Sequence, residues 1–236
     1  DWSSDVCSSD LLAPIADLFT VFARTDERSR GGSGITAFLI ERGTPGLTTS
    51  GSTPKMGQEG APIGEVFLEN CRVDTSAIIG GEPGVGFRTV MKALNKQRIN
   101  LAALATGPAI RMLDDALAYV QEREQFGEPI ATFQLVQAML AECKVEIEAA
   151  RALILQTARK RDGGEDVTMD VSLCKYFATE MCGRVADRVV QIFGGQGYVK
   201  GRGIERFYRD VRAFRIYEGT SQIHLLNIAR HLLKES

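Results

Sequence analysis

The residue whose surroundings could do chemistry most directly is Glu218, set in Ile216-Tyr217-Glu218-Gly219-Thr220 between bulky side chains and the start of a helical run. Apolar neighbours can strip water from a carboxylate and make it a stronger base, whereas a helix N-terminus favours its charged form. Glu218 therefore reads two ways, as a general base or as a first-turn acid complementing a helix dipole. Just upstream, Arg206, Arg209, Arg212 and Arg215 recur every three residues among Phe207, Tyr208, Phe214 and Tyr217. That interleaving could stack on nucleic-acid bases. The preferred reading packs the aromatics inward, pairs the arginines with Glu205 and Asp210 or leaves them in solvent, and lets the segment position the Glu218 loop. His224 and His231 share a helix face without a third ligand, which argues against zinc. The five cysteines include no C-x-x-C pair, so small core residues in a reducing compartment such as the cytoplasm are expected, with no disulfide framework.

These groups need elements to hold them. From Leu12 to Gly80 the chain is strand-like: Phe19–Ala23, Ile35–Ile40 and Glu65–Leu68 are β-prone runs separated by Gly- and Pro-containing turns. From Phe87 onward apolar residues repeat at three and four. Val136, Leu140, Cys143, Ile147, Ala150 and Ile154 follow steps of 4, 3, 4, 3 and 4, placing them on one helical stripe that should face a core. The spacing predicts four main helices over about 88–124, 132–161, 168–193 and 220–235, with a shorter one near 203–209. Thr132 and Thr168 are expected N-caps, and Pro108 should kink or split the first helix. Short connections make neighbours antiparallel, hence a bundle. The fold expected is α+β, mainly α: a partial β-domain over 12–80, then an antiparallel four-helix bundle over 81–236. Residues 1–11, with Ser-Ser-Asp repeated and little apolar character, read as a non-native tail.

Composition bounds the function. Of 236 residues, 28 are basic and 30 acidic, a formal net charge of −2, so an anionic partner must be met by placed basic groups and a nucleic-acid role is not favoured. No apolar run approaches the roughly 18 residues that cross a bilayer.

Four segments, in order and in spacing, resemble the acyl-CoA dehydrogenase family: Gly84-Val85-Gly86-Phe87, Arg123-Glu124-Gln125-Phe126-Gly127, Gln191-Ile192-Phe193-Gly194-Gly195, and Ile216-Tyr217-Glu218-Gly219-Thr220-Ser221-Gln222. Lys55-Met56-Gly57 and Glu65–Val73 look like the end of that family's middle β-domain. The resemblance implies oxidation of the α,β bond of an acyl-CoA thioester with FAD. Glu218 would take the α-proton while the β-hydrogen leaves as hydride to flavin N5. A subgroup places its base directly before the residue matching Arg98, but Gln97 stands there and cannot serve as a carboxylate.

By the same carry-over Asn95, Arg98 and Gly219 meet substrate, although the family often has aspartate where Asn95 stands. Arg123, Gln125, Phe126, Phe133, Gln134, Gln191, Gly194, Gly195, Thr220, Ser221 and Gln222 meet FAD, some of them the FAD of a neighbouring subunit. A homodimer or homotetramer and an electron-transfer flavoprotein as partner are implied. Gly194-Gly195-Gln196-Gly197 follows a helix, not a strand, so it reads as a helix stop and not a dinucleotide fingerprint. The alternatives are an acyl-CoA oxidase on the same scaffold and a non-catalytic helical-bundle binding module. The resemblance also implies an N-terminally truncated fragment that alone binds FAD poorly and turns over little substrate.

Overall fold

The structure, a computed structural model, describes residues 6–233. The chain forms two compact units that divide after Ala93. The first holds five strands, β1 Val6–Leu11, β2 Leu18–Arg24, β3 Ile35–Glu41, β4 Leu47–Thr49 and β5 Ile63–Leu68. β5 lies between β1 and β4 in an antiparallel sheet, and β2 and β3 pair as a separate hairpin. Alternation drives this: Phe19, Ile40, Leu47 and Val66 turn inward onto one small core with Ala13.

β1 falls in the segment expected to be a foreign tail; residues 1–5 of that segment lie outside the described residues. Backbone pairing of an extended segment on an open sheet edge asks little of side-chain pattern, and here Leu11 opposes Ile63 and Asp10 opposes Gly64. Gly86, in the motif that opens the first helix, is required by close approach: a Cβ there would stand 2.5 Å from the Ala37 nitrogen.

The helices are α1 Gly86–Glu122, α2 Gln134–Asp162, α3 Thr168–Phe193, the single turn α4 Gly195–Tyr198, α5 Ile204–Val211 and α6 Ser221–Leu232. Two short strands, β6 Glu124–Gln125 and β7 Glu128–Pro129, form a hairpin between α1 and α2. α3 is the central element: 14 of its 26 residues are buried, as expected of a helix apolar on most sides. The α2 stripe packs against it, with Cys143, Ile147, Ala150 and Ile154 buried and Val136 and Leu140 at its margin. Arg188 bridges Glu142 (2.8 Å) and Glu146 (2.9 Å), and Arg184 adds a second contact to Glu146 (2.7 Å), on the flank of this seam.

Side-chain contacts give the helix directions. Tyr119 near the end of α1 stacks on Phe193 at the end of α3, with centroids 4.1 Å apart, so these two helices run the same way. Ser221 sits at Glu180, His224 beside Lys175, and the charge of His231 reaches Asp166, so α6 runs back along α3. α1, α2, α3 and α6 thus form the up-and-down bundle.

Local expectations are corrected in two respects. Of the kink or split expected at Pro108, the split does not occur: α1 runs through it for 37 residues. The amide that proline removes would have bonded the carbonyl of Leu104, whose exposed position lets water take that acceptor. The N-caps shift by one: Phe133 precedes α2 while the Thr132 hydroxyl donates to the Pro129 carbonyl, and Thr168 is the first residue of α3, bonded through both its amide and its hydroxyl to Asp166.

Candidate functional site

Three elements of the helical unit bring their side chains to one turn. α1 supplies Asn95 and Arg98, α3 supplies Lys175 and Glu180, and α6 supplies Ser221 and His224, all around the loop 216–220. Glu218 and Gly219 both have left-handed backbone, φ +57° and +90°. Two consecutive residues in that region need outside support, above all at a non-glycine position. Arg98 Nε donates to the Glu218 carbonyl at 3.2 Å, His224 Nε2 donates to the same oxygen at 3.2 Å, and Lys175 Nζ donates to the Gly219 carbonyl at 2.6 Å. Arg98 Nη1 also donates to Asn95 Oδ1 at 3.2 Å. The backbone of the turn is therefore fixed by three nitrogen-bearing side chains. The Glu218 carboxylate is not: its Oε2 is buried and has no hydrogen-bond partner among the described residues.

That combination suits a base. A carboxylate oxygen with no donor keeps its lone pairs for an incoming proton, while the fixed backbone sets where it points. The surrounding groups respond to burial. The Lys175 ammonium, fully buried, is pulled down to about 8 by desolvation and then by the charge of Arg98. Desolvation, with Lys175 and Arg98 close by, pulls His224 down to about 4, so its imidazole is neutral at pH 7. With Nε2 donating, Nδ1 carries the lone pair, and it too is buried without a partner. Arg98 is lowered by desolvation, opposed by the charge of Glu218.

The loop is anchored on both sides. Ser221 Oγ donates to Glu180 Oε1 at 2.6 Å, and Arg215 Nη1 donates to Glu180 Oε2 at 3.3 Å. Thr220 caps α6 through a bond from the Ile223 amide at 3.4 Å. The arginine series ahead of the loop is split as expected in part: Arg209 pairs with Glu205 at 3.5 Å, but Arg215 takes Glu180, a partner three-residue periodicity could not reveal. The buried Phe214 meets Tyr217 edge to face, which ties the segment to the core. Ile216, expected to shield the base, is 56% exposed.

The other singled-out residues collect elsewhere on the bundle. Arg123, Gln125, Phe126, Phe133 and Gln134 surround the β6–β7 hairpin, and the Tyr119–Phe193 stack brings Gln191, Gly194 and Gly195 to the same end. Phe126 is the oddity there: 95% exposed, φ +56°, beside Gly127 at φ +88° in a two-residue turn. A bulky residue in left-handed backbone costs conformational energy, and here the ring is otherwise in solvent, meeting Phe133 edge to face at 6.0 Å between centroids. Thr220, Ser221 and Gln222 lie at the other set, beside Glu218. The 16 residues from Lys175 to Gln191 separate the two sets by about 24 Å along α3 at ~1.5 Å per residue. Burial pushes the Cys143 thiol up to about 11 and Cys182 to about 12, so both behave as core residues and not nucleophiles. Among the described residues no group of three or more His, Cys, Asp or Glu could hold a metal ion, and no helix is long and apolar enough to cross a membrane.

Lys175, His224 and Glu180 escaped the sequence reading. A signal for one existed: Val171, Lys175, Ala178, Cys182, Val185 and Val189 follow steps of 4, 3, 4, 3 and 4, so a lysine sits on an otherwise uncharged, largely apolar stripe.

Comparison with known proteins agrees with the motif reading. The family model "Acyl-CoA dehydrogenase, C-terminal domain" matches residues 84–233 and "Acyl-CoA dehydrogenase, middle domain" matches 11–71. The chain is 43% identical to the 3-(aryl)acrylate reductase of Clostridium sporogenes over 222 residues, 94% of this chain and 58% of the relative. The solved butyryl-CoA dehydrogenase of Megasphaera elsdenii superposes with a TM-score of 0.91 at 38% identity, over 98% of this chain and 60% of that one. A structure of PigA with FAD and proline gives a TM-score of 0.91 at 31% identity, over 96% and 58%. The chain thus spans less than two thirds of the length of each. With the middle-domain match in the β unit and the C-terminal match over the bundle that carries Arg98 and Glu218, the chain belongs to the acyl-CoA dehydrogenase family.

Proposed function

We propose that these residues carry the base and part of the FAD surface of an acyl-CoA α,β-dehydrogenase. The observation that supports this most is the Glu218 carboxylate, buried at Oε2 without a donor on a backbone held by Arg98, Lys175 and His224. Glu218 accepts the α-proton of the thioester. Arg98, hydrogen-bonded to Asn95, keeps a positive charge beside the carboxylate as it acts. FAD, when bound, supplies the acceptor for the β-hydride. The residues present fit such a group: Arg123 has no ion-pair partner among the described residues, Phe126 offers an exposed ring, and Gly194 and Gly195 have open space where a Cβ would stand. Two sets of candidate contacts at opposite ends of α3 are what a flavin shared between two copies of the chain requires, which supports a homodimer or homotetramer.

The same side chains serve the reverse direction, Glu218 then delivering a proton to the α-carbon. The similarity to a protein named as a 3-(aryl)acrylate reductase favours including that direction. Because the chain spans 58% of that relative, the activity is proposed for the protein to which these residues belong. The test is spectroscopic. Anaerobic acyl-CoA should bleach the flavin-loaded protein, and an electron-transfer flavoprotein should restore the colour rapidly while air does so slowly. Rapid recovery in air alone would assign an oxidase; no bleaching by any acyl-CoA or aryl acrylate would remove the proposal.

A further inference from the structure

A lysine with no exposed surface, on a helix stripe that otherwise packs Val171, Ala178, Cys182 and Val185 into the core, has to be explained by what it touches. Burying an ammonium is costly unless its donors are engaged. The hydrogen bond that Lys175 makes is to a backbone carbonyl, that of Gly219, at 2.6 Å. A carboxylate would have been the cheaper partner; Glu180 is five residues on along the same helix, but its two oxygens are taken by Ser221 and Arg215. Arg98, a second cation, works against the Lys175 charge, while the carboxylates of Glu180 and Glu218 favour it without bonding to it, and burial outweighs them.

The position repays this cost at the turn. Gly219 is left-handed, follows a left-handed Glu218, and leads within one residue to the cap of α6. Its carbonyl accepts the bond from Lys175. Without that donor the half-buried oxygen would lose its bond, and the pair of left-handed residues would relax toward ordinary backbone, swinging the Glu218 side chain. Arg98 and His224 hold the carbonyl one residue earlier. Two carbonyls and three donors define the orientation of one peptide plane and the start of the next.

We propose that Lys175 is a positioning residue for the base: through the Gly219 carbonyl it fixes the left-handed Glu218–Gly219 turn, and so the direction of the Glu218 carboxylate. Lys175 does not itself meet substrate. The proposal rests on the reading of Glu218 as the base, and its test separates the two.

Lys175→Met keeps length and removes the donors; Lys175→Gln returns a neutral donor on a shorter arm. Two measurements are made on each, with wild type and Glu218→Gln alongside. The first, needing no turnover, is hydrogen–deuterium exchange of the segment 214–224. In Lys175→Met it should rise at least tenfold there while the α2–α3 seam stays protected, and Lys175→Gln should lie between. The second is acyl-CoA oxidation, or α-proton exchange into deuterated solvent. Lys175→Met should lower kcat at least tenfold with KM changed less than about twofold, and should add nothing in the Glu218→Gln background, because a residue acting only through Glu218 has no effect once that carboxylate is gone. A folded Lys175→Met with wild-type exchange in 214–224 and wild-type kcat overturns the proposal, as does an equal loss in both backgrounds. Should Lys175→Met fail to fold, Lys175→Gln is judged by the same two criteria. Full turnover in Glu218→Gln would instead overturn the base assignment, and the exchange result would still decide whether Lys175 holds the turn.

Discussion

Acid should weaken the helical unit through His224, and His224→Gln should remove that weakness. The imidazole has no exposed surface, donates Nε2–H to the Glu218 carbonyl, and keeps an unpartnered Nδ1 in a pocket shared with Lys175 and Arg98. A second proton would place an N–H where no acceptor stands and a third positive charge beside two others. Burial first, then those two charges, lower the group from 6.5 to about 4. In the unfolded chain the histidine takes its proton near 6.5, so the unfolded state binds more protons throughout the window from pH 6.5 to 4. Stability is therefore fully present above pH 6.5, falls as the pH drops through the window, and levels below pH 4. At about 1.4 kcal/mol per unit, the whole window is worth about 3 kcal/mol, of which about 2 kcal/mol is gone at pH 5. Other groups titrate over the same range, so the informative quantity is a difference. Guanidinium unfolding followed by far-UV ellipticity at pH 7 and pH 5 gives the loss for wild type and for His224→Gln, whose amide can keep the bond to the Glu218 carbonyl without titrating. The wild type should lose about 2 kcal/mol more than the variant. Equal losses would show that burial beside Lys175 and Arg98 does not hold His224 neutral.

Two further substitutions test the turns. Gly219→Ala places a Cβ at φ +90°, 3.2 Å from His224 Nε2 and 3.5 Å from Arg98 Nη2, and should lower stability by about 1–2 kcal/mol while reducing turnover more than tenfold, read by thermal melts beside steady-state kinetics. Phe126→Asn should act in opposite directions on two properties. Asparagine tolerates left-handed backbone ahead of Gly127, so stability should rise by up to about 1 kcal/mol, while FAD affinity measured by fluorescence titration should fall; unchanged affinity would remove Phe126 from the flavin surface.

Much of the architecture was legible because it follows from periodicity. The 4-and-3 spacing of α2 gave the buried stripe, and alternation gave β2, β3 and β5, since in both cases burial acts on residues close in sequence. Features set by tertiary partners were not legible. β1 is defined by the open edge of β5, and the β6–β7 hairpin by a Phe126-Gly127 turn whose composition reads as an ordinary loop. Residue type alone points to Thr132 and Thr168 as caps, whereas the caps depend on where the preceding backbone leaves the helix axis. At the site, Glu218 and Arg98 were found from motifs and do come together, Arg98 donating to the Glu218 carbonyl. Lys175 and His224 were not, because a lone lysine or histidine on a helix takes its meaning from a loop 44 residues or 6 residues away, respectively. Ser221 shows the converse. The motif points to FAD, yet the Ser221 hydroxyl is committed to Glu180, a partner on α3 that the local pattern does not reveal.

The role of Glu218 as the base is decided at the α-carbon of the substrate. The direct measurement is exchange of the α-protons of a bound, saturated acyl-CoA with deuterated solvent, followed by NMR or mass spectrometry in the flavin-loaded protein, for wild type and Glu218→Gln. The wild type should exchange on the timescale of turnover, and Glu218→Gln should bind the acyl-CoA within a few-fold of wild type yet exchange at least about 100-fold more slowly, the contribution expected of a positioned general base. Exchange in Glu218→Gln at the wild-type rate would show that another group takes the α-proton.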